Sequence, residues 1–542
     1  MSEANSTTPL LTNRKPPLSR PKVQRRRSSF EASTYHTTGY TPNYVTDSDT
    51  ITPGLNLLQL LTLTICMAGV QFTWTVELSY GTPYLLSLDL SKELTALVWL
   101  AGPLSGLLVQ PLIGAFSDKC TSRLGKRRPF IIISGILTCL SMLGVAYAKE
   151  IGYWFANLFS NVDDNLETIG FAAHRNAIIV AVSAFYFLDF TLNAVQAICR
   201  ALILDIPPLW QQDEANAWSA RMSNAAMVIG YFVGFIDLVK YLPFLGDSQV
   251  KVFCIVAIAV FCVTLFITCI TVTERITEST KENNENWYST FYYIWRAFRY
   301  LPKPIQTLCN TQFFAWMGWF PFLFYSTQWV SDIYFATHPD MDDKESWAKG
   351  TRAGSFALLC YSIVSVIAGV VVPILSANYQ KFKLLSILNI YTLSHLTVAA
   401  VLISSWFVTN VTGATVVLAV MGIPWAIVMW IPFSLVGEYV SYEDEQRQIM
   451  SGGEGSTSNS AIENEGSVLA EELDAGMILG VHNMYVVFPQ FAVAIISSLL
   501  FAAADAVKDK HQLSSVTPVL IFGGFMALIA AAFSRSILRV VN

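Results

Sequence analysis

Stretches of about 20 apolar residues recur along this chain, each long enough to cross the hydrocarbon core of a bilayer as a helix. Charged residues make up only 13% of the chain, against about 25% in soluble domains, so lipid is expected to solvate most of its surface. The sequence therefore predicts an all-α polytopic membrane protein. Twelve spans in two groups of six are predicted: Leu55–Ser79, Leu94–Phe116, Phe130–Ala148, Ala177–Ile203, Ala225–Leu242 and Val252–Val272, then Ile305–Val330, Ala353–Leu375, Leu384–Phe407, Thr412–Val436, Met477–Phe501 and Pro518–Leu538.

The hinge between the second and third spans carries five cations in ten residues, Lys119 to Arg128. A loop this basic crosses a bilayer with difficulty and stays on the cytoplasmic side. The tail before the first span and the connector after the sixth are also basic, so both termini are predicted to be cytoplasmic. The hinge is interpreted as a gating loop, the alternative being a topology anchor alone. The residues assigned to this cytoplasmic gating loop are Gly114, Asp118, Arg123, Gly125, Arg127 and Arg128.

The spans and loops divide the chain into parts. A tail over residues 1–52, rich in Ser, Thr, Pro and Arg, is predicted to be disordered. An N-terminal six-helix bundle over 53–272, a cytoplasmic connector over 273–304 and a C-terminal six-helix bundle over 305–542 follow. The second bundle contains a flexible, acidic cytoplasmic loop over 441–474. This plan is typical of transporters in which two parallel repeats rock about a site near the bilayer midplane.

The fourth span carries a polar stripe. Asp189, Asn193, Gln196 and Arg200 fall within roughly 60° of one another at about 100° per residue. Lipid cannot solvate such a stripe, so it is expected to face the bundle interior or a water-filled cavity. Asp189 is predicted to take up a proton, because burial disfavours its charged form. Arg200, roughly 16 Å away along the axis, is predicted to assist proton coupling or to bind a substrate hydroxyl. The alternatives are a buried network that fixes helix packing and, for Arg200, an extended side chain at the membrane surface.

Further polar and aromatic side chains lie in other spans and are candidates for sugar binding. Amide and carboxylate groups can bond to hydroxyls, and an indole ring can stack on a sugar face. Alternatives exist for each: Glu77 as a solvated interfacial acid, tryptophans as membrane anchors and His482 as a satisfied core histidine. With Asn193 and Gln196, the candidate substrate-binding residues are Gln71, Trp74, Glu77, Trp319, His482, Asn483 and Gln490.

Several motifs stand out along the spans and the hinge. They are Ala68-Gly-Val-Gln-Phe-Thr-Trp-Thr-Val-Glu-Leu-Ser, Gly102-Pro-Leu-Ser-Gly, Ser117-Asp-Lys-Cys-Thr-Ser-Arg-Leu-Gly-Lys-Arg-Arg-Pro, Cys199-Arg-Ala-Leu, Trp319-Phe-Pro-Phe, Gly422-Ile-Pro and Gly480-Val-His-Asn. These motifs resemble those of plant sucrose–proton symporters, which belong to the glycoside-pentoside-hexuronide:cation symporters of the major facilitator superfamily. Glu77 and the tails are more similar to fungal general α-glucoside permeases.

The resemblance implies the major facilitator fold, with Asp189 as the protonated carboxylate and Arg200 as the functional arginine. The sequence departs from the plant pattern in three places. The region after Trp319-Phe-Pro-Phe reads Tyr325-Ser-Thr-Gln-Trp-Val-Ser-Asp, the plant histidine of the first outer loop has no counterpart near Ser91-Lys92, and His482 replaces an apolar residue. The sugar contacts are therefore expected to differ from those of the plant proteins.

The function expected from these features is the proton-coupled import of α-glucosides such as maltose or sucrose. A facilitative uniporter and a non-transporting sugar sensor are the alternatives. No nucleophile–base pair, phosphate loop or metal cluster emerges from the sequence, which argues against an enzyme. The expected partners are a disaccharide, the proton as coupling ion and the lipid bilayer, with no other cofactor and no nucleic acid. A monomer in the plasma membrane is expected, with the vacuolar membrane as the alternative.

Overall fold

The computed structural model describes residues 54–118, 120–159, 166–208, 211–274, 299, 301–339, 343–378, 385–439, 475–506 and 514–537. The predicted tail over 1–52, most of the connector and the loop over 441–474 lie outside these residues. The disorder and flexibility predicted for them stay predictions.

The first half of the described chain contains six long helices. A short amphipathic helix, Ala148–Phe159, precedes the fourth and packs along it. The six are α1 (Leu57–Thr64 continuing as Cys66–Leu86), α2 (Lys92–Val98 continuing as Ala101–Asp118), α3 (Arg128–Ala146), α4 (Leu166–Asp205), α5 (Gln212–Phe235) and α6 (Gln249–Thr271).

The second half contains six more. Prolines lie inside several of these helices, where the missing N–H interrupts the hydrogen-bond ladder. The six are α7 (Lys303–Thr337), α8 (Asp343–Asn378), α9 (Ile387–Ser404), α10 (Val411–Val420 continuing as Gly422–Val428 and helical again over 431–439), α11 (Ala475–Ala506) and α12 (Thr517–Ser534).

Ten of these twelve helices in the described part of the chain are long and apolar enough to cross a membrane. The other two, α5 and α7, have 24 and 35 residues but carry more polar side chains. Helix α7 packs in the interior, against α8, α11 and α12, and neighbouring helices surround much of its polar surface. Helix α5 packs against α1 and α8 through one face, and the polar side chains of its first half are largely exposed. The predicted fold, twelve helices in two sets of six, is confirmed.

The predicted bounds of the fifth span, Ala225–Leu242, are wrong. The helix begins at Gln212, with Asp213 and Glu214 in its first turn, and ends at Phe235. Its polar first half has no hydropathy signal, although acidic residues favour a helix N-terminus. The apolar residues after Phe235 form a separate short turn, Leu238–Tyr241, which Asp237 caps by accepting a hydrogen bond from the Lys240 N–H.

The outer surface of the bundle is apolar where the helices face away from their neighbours. On α3, five exposed side chains form one patch. A soluble monomer rarely exposes a continuous apolar face of this kind, so this face is where lipid covers the protein. The five are Ile132, Ile133, Ile136, Leu137 and Leu140, each between 42% and 59% exposed.

Helices α8 and α10 cross so closely that their backbones touch. A Cβ atom on Gly422 would lie 2.4 Å from the Tyr361 carbonyl oxygen and 2.7 Å from the Ser365 backbone nitrogen. Only a glycine permits this approach, as at other close helix crossings in membranes. A Cβ atom on Gly437, further along α10, would have no other atom within 4 Å.

Candidate functional site

The polar stripe of α4 runs from a sealed interior to an accessible end. Asp189 and Asn193 are 3% and 6% exposed, Gln196 is half-buried and Arg200 is exposed. Arg200 lies towards the end of the bundle where Asp205 closes α4 beside the basic hinge. We call this the Arg127 end, and the opposite end the Trp99 end. Exposure along the stripe therefore rises towards the Arg127 end, and Asp189 lies at its buried limit.

Asp189 lies where the two halves of the chain meet. A Cβ atom on Gly102 of α2 would lie 3.8 Å from Asp189 Oδ1 and 3.4 Å from Oε1 of Gln490 on α11. The absence of a side chain at Gly102 thus leaves room for an acid of the first half and an amide of the second to approach one small space. Of the predicted site residues, Asp189 and Gln490 are brought together across the interface.

Glu77 is the nearest acidic partner of Asp189. Its side chain, on α1, is 2% exposed, and its carboxyl group lies close enough to that of Asp189 for the two to interact. Within the described residues, the second carboxyl oxygen of Glu77, Oε2, is buried without a hydrogen-bond partner. Of the two predicted roles of Glu77, the interfacial one is wrong, because the side chain is buried in the bundle; the binding role stays a prediction.

Asn193 joins α4 to α2. Its Nδ2 donates to Ser105 Oγ at 2.6 Å and to the Asp189 carbonyl at 2.9 Å, and its Oδ1 accepts from Gln110 Nε2 at 2.8 Å. Both amide protons are occupied, so this side chain forms the packing network that the sequence left as an alternative. Gln196, one turn nearer the Arg127 end, is more accessible.

On α1, Gln71 and Trp74 are half-buried between fully buried neighbours such as Phe72 and Thr73. Trp74 precedes Glu77 by three residues, about 60° around the helix axis. A ligand that stacks on this indole could therefore reach the Glu77 carboxyl group as well.

In the second half, Trp319 forms part of an aromatic cluster between α7 and α10. Its ring is 1% exposed and packs edge-on against Trp425, with ring centroids 5.1 Å apart. Trp316 contacts the same Trp425 at 6.1 Å, and its Nε1 is buried without a partner among the described residues. In this state Trp425, which is half-buried, is the more accessible ring.

The predicted residues of α11 point in different directions. His482 is 2% exposed, with its Nε2 at 3.4 Å from Gln312 Nε2 and its ring centroid 5.2 Å from that of Phe433. Asn483 is exposed. Of the three, Gln490 borders the space at Gly102 that Asp189 also borders.

The basic hinge is organised by two carboxylates that the sequence reading missed. Asp205 accepts from Arg127 Nε at 2.8 Å and pairs with Lys126 Nζ at 3.0 Å. Glu274, just after α6, accepts from the backbone N–H groups of Arg127 and Arg128 at 2.7 and 2.8 Å. These bonds hold the hinge against the ends of α4 and α6. The acidic residues at the ends of α4 and α6, together with the cations of the hinge, could have indicated this pairing from the sequence.

Gly125 gives the hinge its turn. Its φ of 102° lies in the left-handed region, which glycine adopts without strain, and a Cβ there would meet the Glu274 side chain at 2.6 Å. Gly114 is half-buried with no atom within 4 Å of its Cβ position, and Arg123 is exposed. The Asp118 side chain lies outside the described residues.

At the Trp99 end, polar and aromatic contacts join the two halves. The Trp99 ring of α2 stacks on Phe324 of α7 with centroids 4.3 Å apart. Thr82 Oγ1 of α1 accepts from Trp99 Nε1 at 3.0 Å and donates to the Phe324 carbonyl at 2.7 Å. Arg352 of α8 reaches Asp237, after α5, with Nη1 2.7 Å from Oδ2. These contacts therefore hold the two halves closed together at this end.

Removing the ion pair at the Trp99 end is expected to loosen this closure. The Arg352 and Asp237 side chains are 27% and 37% exposed, and partly exposed pairs contribute up to about 1 kcal/mol. Arg352→Gln should therefore speed maleimide labelling of a single Cys at position 96, where Ala96 is fully buried, by up to about fivefold.

Lys349→Gln is the matched control, because within the described part of the chain Lys349 pairs along its own helix, with Glu345 at 2.6 Å. Equal labelling rates in the two variants would show that the Arg352–Asp237 pair does not hold the end closed.

Two sets of six helices around a central polar stripe, closed at one end, define a membrane transporter of the two-halves type. Residues 63–452 match the model of the Major Facilitator Superfamily. The chain is 30% identical over 561 residues to the general alpha-glucoside permease of Schizosaccharomyces pombe (strain 972 / ATCC 24843), covering 90% of this chain and 95% of that one. It is 26% identical over 473 residues to sucrose transport protein SUT1 of Oryza sativa subsp. japonica, covering 81% and 82%.

Among solved structures, the fold resembles that of a D-xylose-proton symporter, with a TM-score of 0.55, 14% identity and coverage of 89% of this chain and 98% of that one. The chain therefore belongs to the major facilitator superfamily. It is a multi-pass membrane transporter and not an enzyme, and the resemblance predicted from its motifs is confirmed.

Proposed function

We propose that this protein is a symporter that imports α-glucosides such as maltose or sucrose together with protons, by alternating access. The names of its relatives, an alpha-glucoside permease and a sucrose transport protein, support the substrate class. The observation that carries the proposal is the position of Asp189: a carboxyl group at the buried limit of the polar stripe, at the contact between the two halves.

The accessible side chains of α1 and α4 supply groups suited to a sugar. Gln71 and Gln196 offer amide donors and acceptors, and Trp74 offers an aromatic face for the apolar side of a pyranose ring. Arg200, at the accessible end of the stripe, adds up to five donors. Sugar binding here would replace water by fixed hydrogen bonds before the halves rock.

The buried carboxyl group supplies the coupling. Moving a charged carboxylate through a low-dielectric interior is unfavourable, so a protonated Asp189 lets the halves reorient more readily than an ionised one. Protonation on one side and release on the other then ties sugar movement to the proton gradient. We further propose that the protein works as a monomer in the plasma membrane, with both termini and the Arg127 end in the cytoplasm.

Proteoliposomes that contain only this protein test the proposal. Maltose or sucrose, added to a weakly buffered suspension, is expected to cause external alkalinisation and to accumulate inside when the lumen is alkaline. Sugar uptake without a pH change would indicate a uniporter, and no uptake at all would indicate a sensor. A panel of disaccharides in the same assay would identify the preferred sugar. Localisation of the tagged protein in cells separates the plasma membrane from the vacuole.

A further inference from the structure

Glu77 and Asp189 place two interacting carboxyl groups inside the bundle, although they belong to different helices. We propose that the two acids form a single proton-binding site that holds one proton between them, and that Glu77 links this proton to the bound sugar. The proposal rests on the proposed function and assigns to Glu77 a role in coupling as well as in sugar binding.

Burial and the like charge both oppose double ionisation of the pair. The two side chains are 2% and 3% exposed, and two carboxylates that share a buried site cannot both be charged without a large penalty. No Lys or Arg occurs in Cys66–Leu86, in Ala101–Asp118 or between Ala177 and Cys199. Arg200 is roughly 16 Å away along α4. Without a cation at contact distance on these helices, a proton is the means of compensating the second charge.

The other groups around the pair do not replace that proton. Tyr186, on α4, is the titratable neighbour of Asp189, and a phenol is neutral at physiological pH. Gln490 approaches from α11 and carries no charge, and Gly102 of α2 has no side chain. Asn193 gives both its amide protons to other acceptors, Ser105 Oγ and the Asp189 carbonyl. None of these groups therefore carries a charge that would compensate a second carboxylate.

The two oxygens of Glu77 have different surroundings. The carboxyl group faces Asp189, yet Oε2 is buried without a hydrogen-bond partner among the described residues. A buried acceptor left unpaired is unfavourable, so this oxygen is suited to accept a hydroxyl from a ligand on the neighbouring face of α1, where Trp74 is accessible.

Because the two oxygens of Glu77 have different surroundings, sugar binding to one of them can affect the position of the proton shared with Asp189. When a sugar hydroxyl donates to Oε2, the carboxylate form of Glu77 is favoured, and the shared proton moves to Asp189. The O–H bond on Glu77 breaks, an O–H bond on Asp189 forms, and no other atom changes its bonds. When the sugar leaves and water enters, the pair can release the proton to the open side. Sugar binding thus fixes the shared proton on Asp189, and departure of the sugar lets the proton move between the two acids again.

The test compares Glu77→Gln, Asp189→Asn and the double variant in proteoliposomes, with Glu167→Gln as control because Glu167 is exposed. Gln keeps the shape and hydrogen-bonding capacity of Glu but cannot carry the proton. We expect each single variant to lose uphill accumulation and keep sugar exchange, and the double variant to lose no more than either single one. If Glu77→Gln raises only the KM and accumulates sugar like the wild type at saturation, the proposal is wrong.

Infrared spectroscopy of the purified protein tests the site independently of transport. The wild type should show a protonated carboxyl band at neutral pH that Glu77→Gln and Asp189→Asn each shift or remove and Glu167→Gln leaves unchanged. A band insensitive to Glu77→Gln would overturn the shared site even if coupling is found. Conversely, wild-type sugar uptake without proton movement, with the band sensitive to both variants, would refute the proposed function and the coupling role and leave only the paired site.

Discussion

Asp189→Asn is expected to abolish the accumulation of sugar against a gradient and to leave exchange of sugar between equal concentrations intact. The amide has nearly the size of the carboxyl group, so the contact with Glu77 and the space at Gly102 are retained. It cannot take up and release a proton in the physiological range. In a one-proton symporter, each unit of pH gradient can sustain about a tenfold accumulation, and all of this should disappear.

The measurement is the ratio of labelled sugar inside and outside proteoliposomes under an imposed pH gradient, alongside counterflow without a gradient. Asp213→Asn makes the same chemical change at an exposed position in the first turn of α5 and should behave like the wild type. A variant at Asp189 that still concentrates sugar would show that another group carries the proton.

Gly422→Val is expected to prevent the correct assembly of the second half. The new side chain would collide with the backbone of α8 at Tyr361 and Ser365, and backbone atoms within a helix cannot rotate away as a side chain can. Overpacking typically costs about 1–3 kcal/mol, occasionally more, and this clash should lie at or above the upper end because it pushes two helices apart.

The yield of monodisperse protein and its thermal unfolding midpoint measure this effect. Gly437→Val adds the same atoms to the same span where nothing lies within 4 Å, and its yield and midpoint should be close to those of the wild type. Similar losses in both variants would mean that helix propensity, and not the crossing with α8, makes glycine necessary in this span.

The helices could be predicted from sequence where lipid determines their composition. The apolar faces of α3 and α6 reveal those helices directly, because hydrocarbon contact selects the residues. Hydropathy misses helical turns that project beyond the bilayer or pack in the interior, and this explains the wrong bounds of the fifth span and the greater length of α4, which begins at Leu166. These segments are stabilised by contacts with other helices.

The site could be predicted in part. The spacing of Asp189, Asn193, Gln196 and Arg200 defines one face, because angular arithmetic holds within a helix. The same arithmetic cannot show which face of another helix lies opposite, so the contact of Glu77 with Asp189 was not foreseen. The hydrogen bonds of Glu274 to the hinge, 147 residues from Arg127 in sequence, were missed for the same reason.

The closure at the Trp99 end has a consequence for the speed of the transport cycle. A stacked ring pair, a shared threonine hydroxyl and one partly exposed ion pair are weak interactions taken singly, and each can be broken without unfolding a helix. Several weak contacts can break one after another, so the opening of the two halves at this end need not cross a single high energy barrier. Since only the ion pair is screened by dissolved salt, turnover should respond modestly to ionic strength on the side that the Trp99 end faces.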